Sequence, residues 1–292
     1  MILRSRGWAA LLLGFALVGK SSATTYYVSS SGNDANNGTS PTTAWKNAPG
    51  MAEYTGSGTL KPGDTVYFDR GDTWLVNGAR GLWLIGGVTY IGDTWGTGTR
   101  ATIRSAVSND AGVVSFRDDV TKLTIFQGFE VDANHTISSG IDLGHRYPIL
   151  LTGATKRINN VVVHGVSSNA SAGQYKYGII MSSWPLSGTC SYTKGGSGAA
   201  GNVANVEVLN SKVYDISRTG IALYPGPCDG LEGIKNITVR GNEVYNTGTD
   251  AGTTGYGILT KGNVQDAYIE YNYVHDTSLA GVQISAVFHR IV

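Results

Sequence analysis

One short pattern is written three times between Val206 and Ser285, and it narrows what this 292-residue chain can fold into. The copies read VEVLNSKVYDISRTGIAL from Val206, ITVRGNEVYN…GYGILT from Ile237 and AYIEYNYVHDTSLAGVQIS from Ala267. Each holds an alternating apolar strand, a polar corner, a second short strand carrying Val-Tyr/His-Asp/Asn, a loop, and then a Gly-Ile or Gly-Val strand. The equivalent positions Val208, Val239 and Ile269 stand 31 and 30 residues apart. Two further copies lie upstream, beginning at Leu123 and Val161. A repeat of this size with no helical period marks a β-solenoid. One turn cannot bury its own apolar side chains, whereas stacked turns bury them as ladders and pair each strand with its neighbours ~4.8 Å away.

Side chains alternate along a strand. In the Gly-Ile strands this points Ile141, Ile179, Ile221, Ile258 and Val282 inward. It leaves Asp142, Ile180, Ala222, Leu259 and Gln283 facing out, followed by Ser182, Tyr224, Lys261 and Ser285. Tyr224 and Lys261 hold matching positions in neighbouring turns, so they are expected side by side. Arg218 stands just before the strand of Tyr224, and His145 and Arg146 follow Asp142. Asn242 and Asn272 recur at the polar corner, where a left-handed or bridging backbone suits Asn and stacked amides can bond along the column.

Residues 1–23 read as a secretory signal: Arg4 and Arg6, an apolar run from Trp8 to Val18, then Ser21-Ser22-Ala23. That run is too short to span a bilayer. Residues 24–292 form the rest as one domain, expected to be exported and monomeric. With a net charge of +1 there is no basic excess, and nucleic acid is excluded as a partner. In an exported protein Cys190 and Cys228, each in the loop after a Gly-Ile strand, are expected to form a disulfide. After Ile284 the chain has eight residues and no capping pattern, so an N-terminal fragment lacking its last turns is expected. Thr43 to Tyr54 is expected to form a short helix that plugs the first turn with Trp45 and Met51. The run Asn33–Gly38 has a superficial calcium-loop look but lacks the spaced acids, and reads as a turn-rich entry.

The entry YYVSSSGNDANNGTSPTTAWKN, followed by LKPGDTVYFDRGDTW and the repeated N-x-V-Y/H-D/N…GI segments, resembles secreted proteins of the pectate-lyase-like superfamily. The resemblance covers about Thr25 to Ser285. It implies an all-β, right-handed, single-stranded parallel β-helix, with the substrate groove along the Gly-Ile strands. It leaves activity open, because lyases, hydrolases, epimerases and adhesins share this scaffold.

Cleavage of a uronic-acid polymer by β-elimination needs a base, a cation on the carboxylate and a proton donor. Lys261 is the candidate base, Tyr224 the donor and Arg218 the clamp. Trp184 and Tyr192, in the long loop from Ser183 to Asn202, are candidates for stacking on sugar rings, with Asp142, His145 and Arg146 at the groove edge. The reading is a lyase acting on an acidic glycan. Two rivals stand beside it: a non-catalytic glycan-binding adhesin, and a glycoside hydrolase, which needs converging carboxylates. Only Asp142 projects from the Gly-Ile strands, while Asp132, Asp215 and Asp276 are read as one corner column bonding local backbone. The Asn-Thr-Asp and Arg-Ile-Lys motifs of the polygalacturonase branch are absent. No metal ligand set is recognisable among the scattered histidines; calcium remains a possible cofactor.

Overall fold

The computed structural model describes residues 22–77, 81–106, 109–116, 122–142, 155–166, 176–181, 203–224, 234–249, 255–262 and 264–286. The chain coils through three parallel sheets in fixed succession. The first sheet has eight strands, beginning with Thr25–Val28 and Thr65–Arg70 and ending with Ile234–Arg240 and Val264–Glu270. The second runs from Thr73–Val76 to Tyr273–Val274, and the third from Leu82–Leu84 to Ala280–Ala286, with seven strands each. Every strand pairs with the equivalent strand one turn away, so the repeat in the sequence becomes a rung in space.

Three apolar ladders fill the interior. In the first sheet Val66, Tyr90, Phe126, Ile158, Val208 and Val239 lie in register and are fully buried. The second sheet contributes Ile103, Val131, Val163, Val213 and Val244. The third contributes Leu82, Val114, Ile141, Ile179, Ile221 and Ile258. Burying each such side chain contributes about 1.5–3 kcal/mol, which is how a chain of single-layer strands stays closed. Val282 continues the third ladder by register, but in the last described rung it is 47% exposed. The copy assigned to Val161 starts earlier than its apolar run: Lys156–Asn159 is its first-sheet strand and Val162–His164 its second.

The corners explain the recurring polar residues. Asp215, Asn246 and Asp276 share φ values of +54°, +49° and +49°, a left-handed backbone that Asp and Asn tolerate better than other side-chain-bearing residues. Asp132 does not belong to that column. It lies in the second sheet between Arg104 and His164, with Arg104 Nε 2.7 Å from its carboxylate. At the other corner the left-handed residues are Asn210, Gly241 and Tyr271, the last two each just before Asn242 and Asn272. Asn242 and Asn272 instead bond along the column: Asn242 Nδ2 donates to Asn272 Oδ1 at 2.9 Å, and Asn242 Oδ1 accepts from Ser211 N–H at 2.9 Å.

The entry carries no helix over Thr43–Tyr54; its helical content is one 3-10 turn at Pro41–Thr43, and no α-helix occurs among the described residues. Trp45 nevertheless closes the first rung. It is buried, bridges to Val28, stacks on Tyr26 at 4.6 Å and donates its indole N–H to Asn36 O at 2.8 Å. Asp34 ties this loop together by accepting backbone N–H bonds from Lys46, Asn47 and Thr55 at 2.9, 2.7 and 3.2 Å. Its carboxylate serves the loop's own backbone, as the turn-rich reading requires. No described helix is long and apolar enough to cross a membrane.

Candidate functional site

The outward side of the third sheet carries a recess because strict alternation fails at its glycines. A Cβ placed on Gly140, Gly178, Gly220 or Gly257 would collide with a valine Cγ1 of the second sheet. It would also stand 2.6–2.8 Å from the glycine carbonyl of the next rung. Each glycine therefore faces the interior, as does the isoleucine after it. Two consecutive inward positions throw the residue before the glycine outward. That residue is Tyr177 in one rung and Tyr256 two rungs later, in register with Thr219 between them.

Tyr177 and Tyr256 join Arg218, Tyr224 and Lys261 around an open recess of about 110 Å³. Leu259, Gln283 and Ser285 complete its wall. Tyr177, Ala222 and Tyr224 pack together and are almost fully buried although they face outward, so the floor is apolar. Arg218 is half-buried and Lys261 exposed. The Lys261 ammonium lies 5.1 Å from the centre of the Tyr224 ring, within cation–π range. The described lining thus offers two cations, three phenols, an amide and a hydroxyl, but no carboxylate.

The three residues chosen as catalytic candidates, Lys261, Tyr224 and Arg218, therefore meet at one recess. Asp142 pairs by register with Ile180, in the column that ends at Gln283, and its side chain lies outside the described residues. His145, Arg146, Trp184, Tyr192, Cys190 and Cys228 also lie outside them, as does the signal segment before Ser22. Tyr177 and Tyr256 escaped the sequence reading. The signal was present, since both precede the repeated glycine, but period-two counting assigns that place to the core.

A second cluster occupies the outer side of the second sheet. His164, Tyr214, Tyr245 and His275 stack rung upon rung, with centroids 5.1, 5.0 and 4.9 Å apart and planes within 12°. His164 Nε2 is 2.9 Å from Glu130, and His275 Nδ1 is 2.8 Å from Asp276. The neighbouring rungs are also cross-linked by Lys212 and Glu243 at 2.8 Å. Hydrogen bonding from Asp276, which outweighs partial desolvation and is helped by Glu243, raises the His275 pKa above 6.5. The ring faces are taken up by one another, so this cluster braces the stack. Among the described residues no group of three or more His, Cys, Asp or Glu is arranged to hold a metal ion.

No family model matches the chain, and no curated protein matches it. Among solved structures, two of a GH136 lacto-N-biosidase from Eubacterium ramulus align with it. The selenomethionine derivative gives a TM-score of 0.59 at 19% identity, and the native protein 0.50 at 18%. Both cover 85% of this chain and 44% of the enzyme. A weaker likeness, TM-score 0.38 at 11% identity, joins 92% of the chain to 78% of the pectate lyase Pel9A. The chain is a right-handed parallel β-helix. It spans less than half the length of the lacto-N-biosidase, and identities this low establish a shared fold, not a shared reaction.

Proposed function

We propose that the β-helix is an exported enzyme that binds an acidic polysaccharide on its third sheet and cleaves it by β-elimination. The observation that carries this reading is the pairing of Arg218 and Lys261 over a tyrosine-rich floor, with no carboxylate among the described lining residues. Such a surface attracts polyanions.

In the proposed reaction Arg218 pairs with the uronate carboxylate and stabilises negative charge as it spreads onto that group. Lys261, once it has given up its own proton to solvent, removes the proton on the carbon next to the carboxyl as a neutral amine. The electron pair released forms a double bond to the neighbouring ring carbon, whose bond to the glycosidic oxygen breaks. Tyr224 delivers a proton to the departing oxygen. Tyr256 contacts the sugar from the same strand as Lys261, and Tyr177 lies beneath in the floor.

Incubation of the full chain with alginate, pectate and chondroitin tests the reading. Elimination leaves an unsaturated uronate that absorbs in the ultraviolet. Reducing ends released without that absorbance would replace the lyase reading with a hydrolase, and tight binding without cleavage would replace it with an adhesin.

A further inference from the structure

We propose that the recess selects a glycan in which an acidic unit is followed by a neutral one, in preference to an uninterrupted polyuronate. This rests on reading the third sheet as the polysaccharide site. The recess lining is divided by charge along the stack. Arg218 and Lys261 stand on two adjoining rungs, and the next rung presents Gln283 and Ser285 in register with Leu259 and Lys261. The strand of that rung, Ala280–Ala286, contains neither lysine nor arginine.

Gln283 Nε2 donates to Ser285 Oγ at 2.8 Å. The pair then still offers the amide carbonyl as an acceptor, a second amide N–H and the serine hydroxyl proton as donors. A sugar hydroxyl or an acetamido group both donates and accepts, and it satisfies this mixed set. A carboxylate only accepts. Over Gln283 it would confront the amide carbonyl and give up water with no cation on the same strand, which is unfavourable. One rung is ~4.8 Å, the scale of one sugar ring in an extended chain. An acidic ring held by Arg218 and Lys261 therefore brings the next ring over Gln283 and Ser285.

Affinity electrophoresis of the full chain tests this, through gels containing hyaluronan or unsulfated chondroitin, which alternate a uronate with a neutral N-acetylhexosamine. Polygalacturonate and alginate, matched for uronate, serve as the uninterrupted polymers. The alternating polymers are expected to retard the protein at about tenfold lower concentration, the size of one or two hydrogen bonds left unmade. Gln283→Ala and Ser285→Ala should shrink that preference to about twofold or less, while Arg218→Ala weakens binding to every acidic polymer. Equal or tighter binding of the polyuronates, survival of the preference in both variants, or binding to no glycan would each overturn the proposal. A retained preference without elimination products would remove the lyase reading alone. Elimination of polyuronates with no preference would remove this inference alone.

Discussion

Lys261 holds its ammonium 5.1 Å from the centre of the Tyr224 ring, one rung further along the stack. The contact makes base and proton donor of the proposed reaction immediate neighbours. Lys261→Ala is expected to lower kcat by about 10²–10⁴. Tyr224→Phe keeps the buried ring and the cation–π contact while deleting the hydroxyl, and should also lose about 10² or more in kcat. A Tyr224→Phe enzyme with unchanged kcat would reduce Tyr224 to a packing residue. Arg218→Ala should raise KM and also lower kcat, because Arg218 both holds the carboxylate and stabilises the charge that develops on it.

The glycine column is tightly packed between the second and third sheets. A Cβ on Gly220 would press into Val244 and stand 2.8 Å from the carbonyl oxygen of Gly257. Gly220→Ala should destabilise the protein by about 1–3 kcal/mol through overpacking, read from urea unfolding. Combining it with Val244→Ala should cost less than the sum of the two single changes, because the second removes the methyl group struck by the first.

Asp34 supplies the acid sensitivity of the entry loop. Burial alone would raise its pKa, but donation from the Asn47, Thr55 and Lys46 backbone amides and the Asn47 side chain outweighs this, and the pKa falls below its usual 3.8. The stabilisation is therefore complete above the unfolded carboxylate pKa and is lost as pH falls through the lower folded value. Asp34→Asn should cost about 1.5–3 kcal/mol at neutral pH, the worth of hydrogen bonds to a charged acceptor. It should also flatten the acid limb of the stability profile, measured by denaturant unfolding from neutral pH downward.

His275 responds in the opposite sense. Its raised pKa means that the folded state holds the proton more tightly, through Asp276 first and Glu243 second, with Tyr245 and Tyr273 against the ring. Its contribution is fully present below the unfolded imidazole pKa and disappears as pH rises through the higher folded value. An NMR titration should find His275 above 6.5 in the wild type. Glu243→Gln and Asp276→Asn should each bring it down, with the larger effect from Asp276. An unmoved titration in both variants would show that the carboxylates do not act on the ring.

Much of this arrangement was legible before any coordinates. The near-equal spacing of Val208, Val239 and Ile269 anticipates their register, and the isoleucine after each glycine anticipates the third ladder. The departures are local. The sequence around Trp45 suggests a helix that would bury it, whereas bridges and turns do the same work. The sequence allows a left-handed or bridging backbone at Asn242, and the left-handed residue is its neighbour Gly241, because either residue satisfies the turn and only backbone geometry separates them.

The amino-acid order by itself determined that the chain must stack, since a repeat of three short strands has nowhere else to bury its apolar side chains. It also determined which side chains share a column, because equal spacing leaves one register. The tertiary structure decided what period-two counting cannot: close contact between the second and third sheets turns each glycine inward and sends Tyr177 and Tyr256 out over the recess. It likewise drew His164, Tyr214, Tyr245 and His275 into one stack, a contact between residues spread over 112 positions (275 − 164 + 1) that exists only once the rungs lie on top of one another.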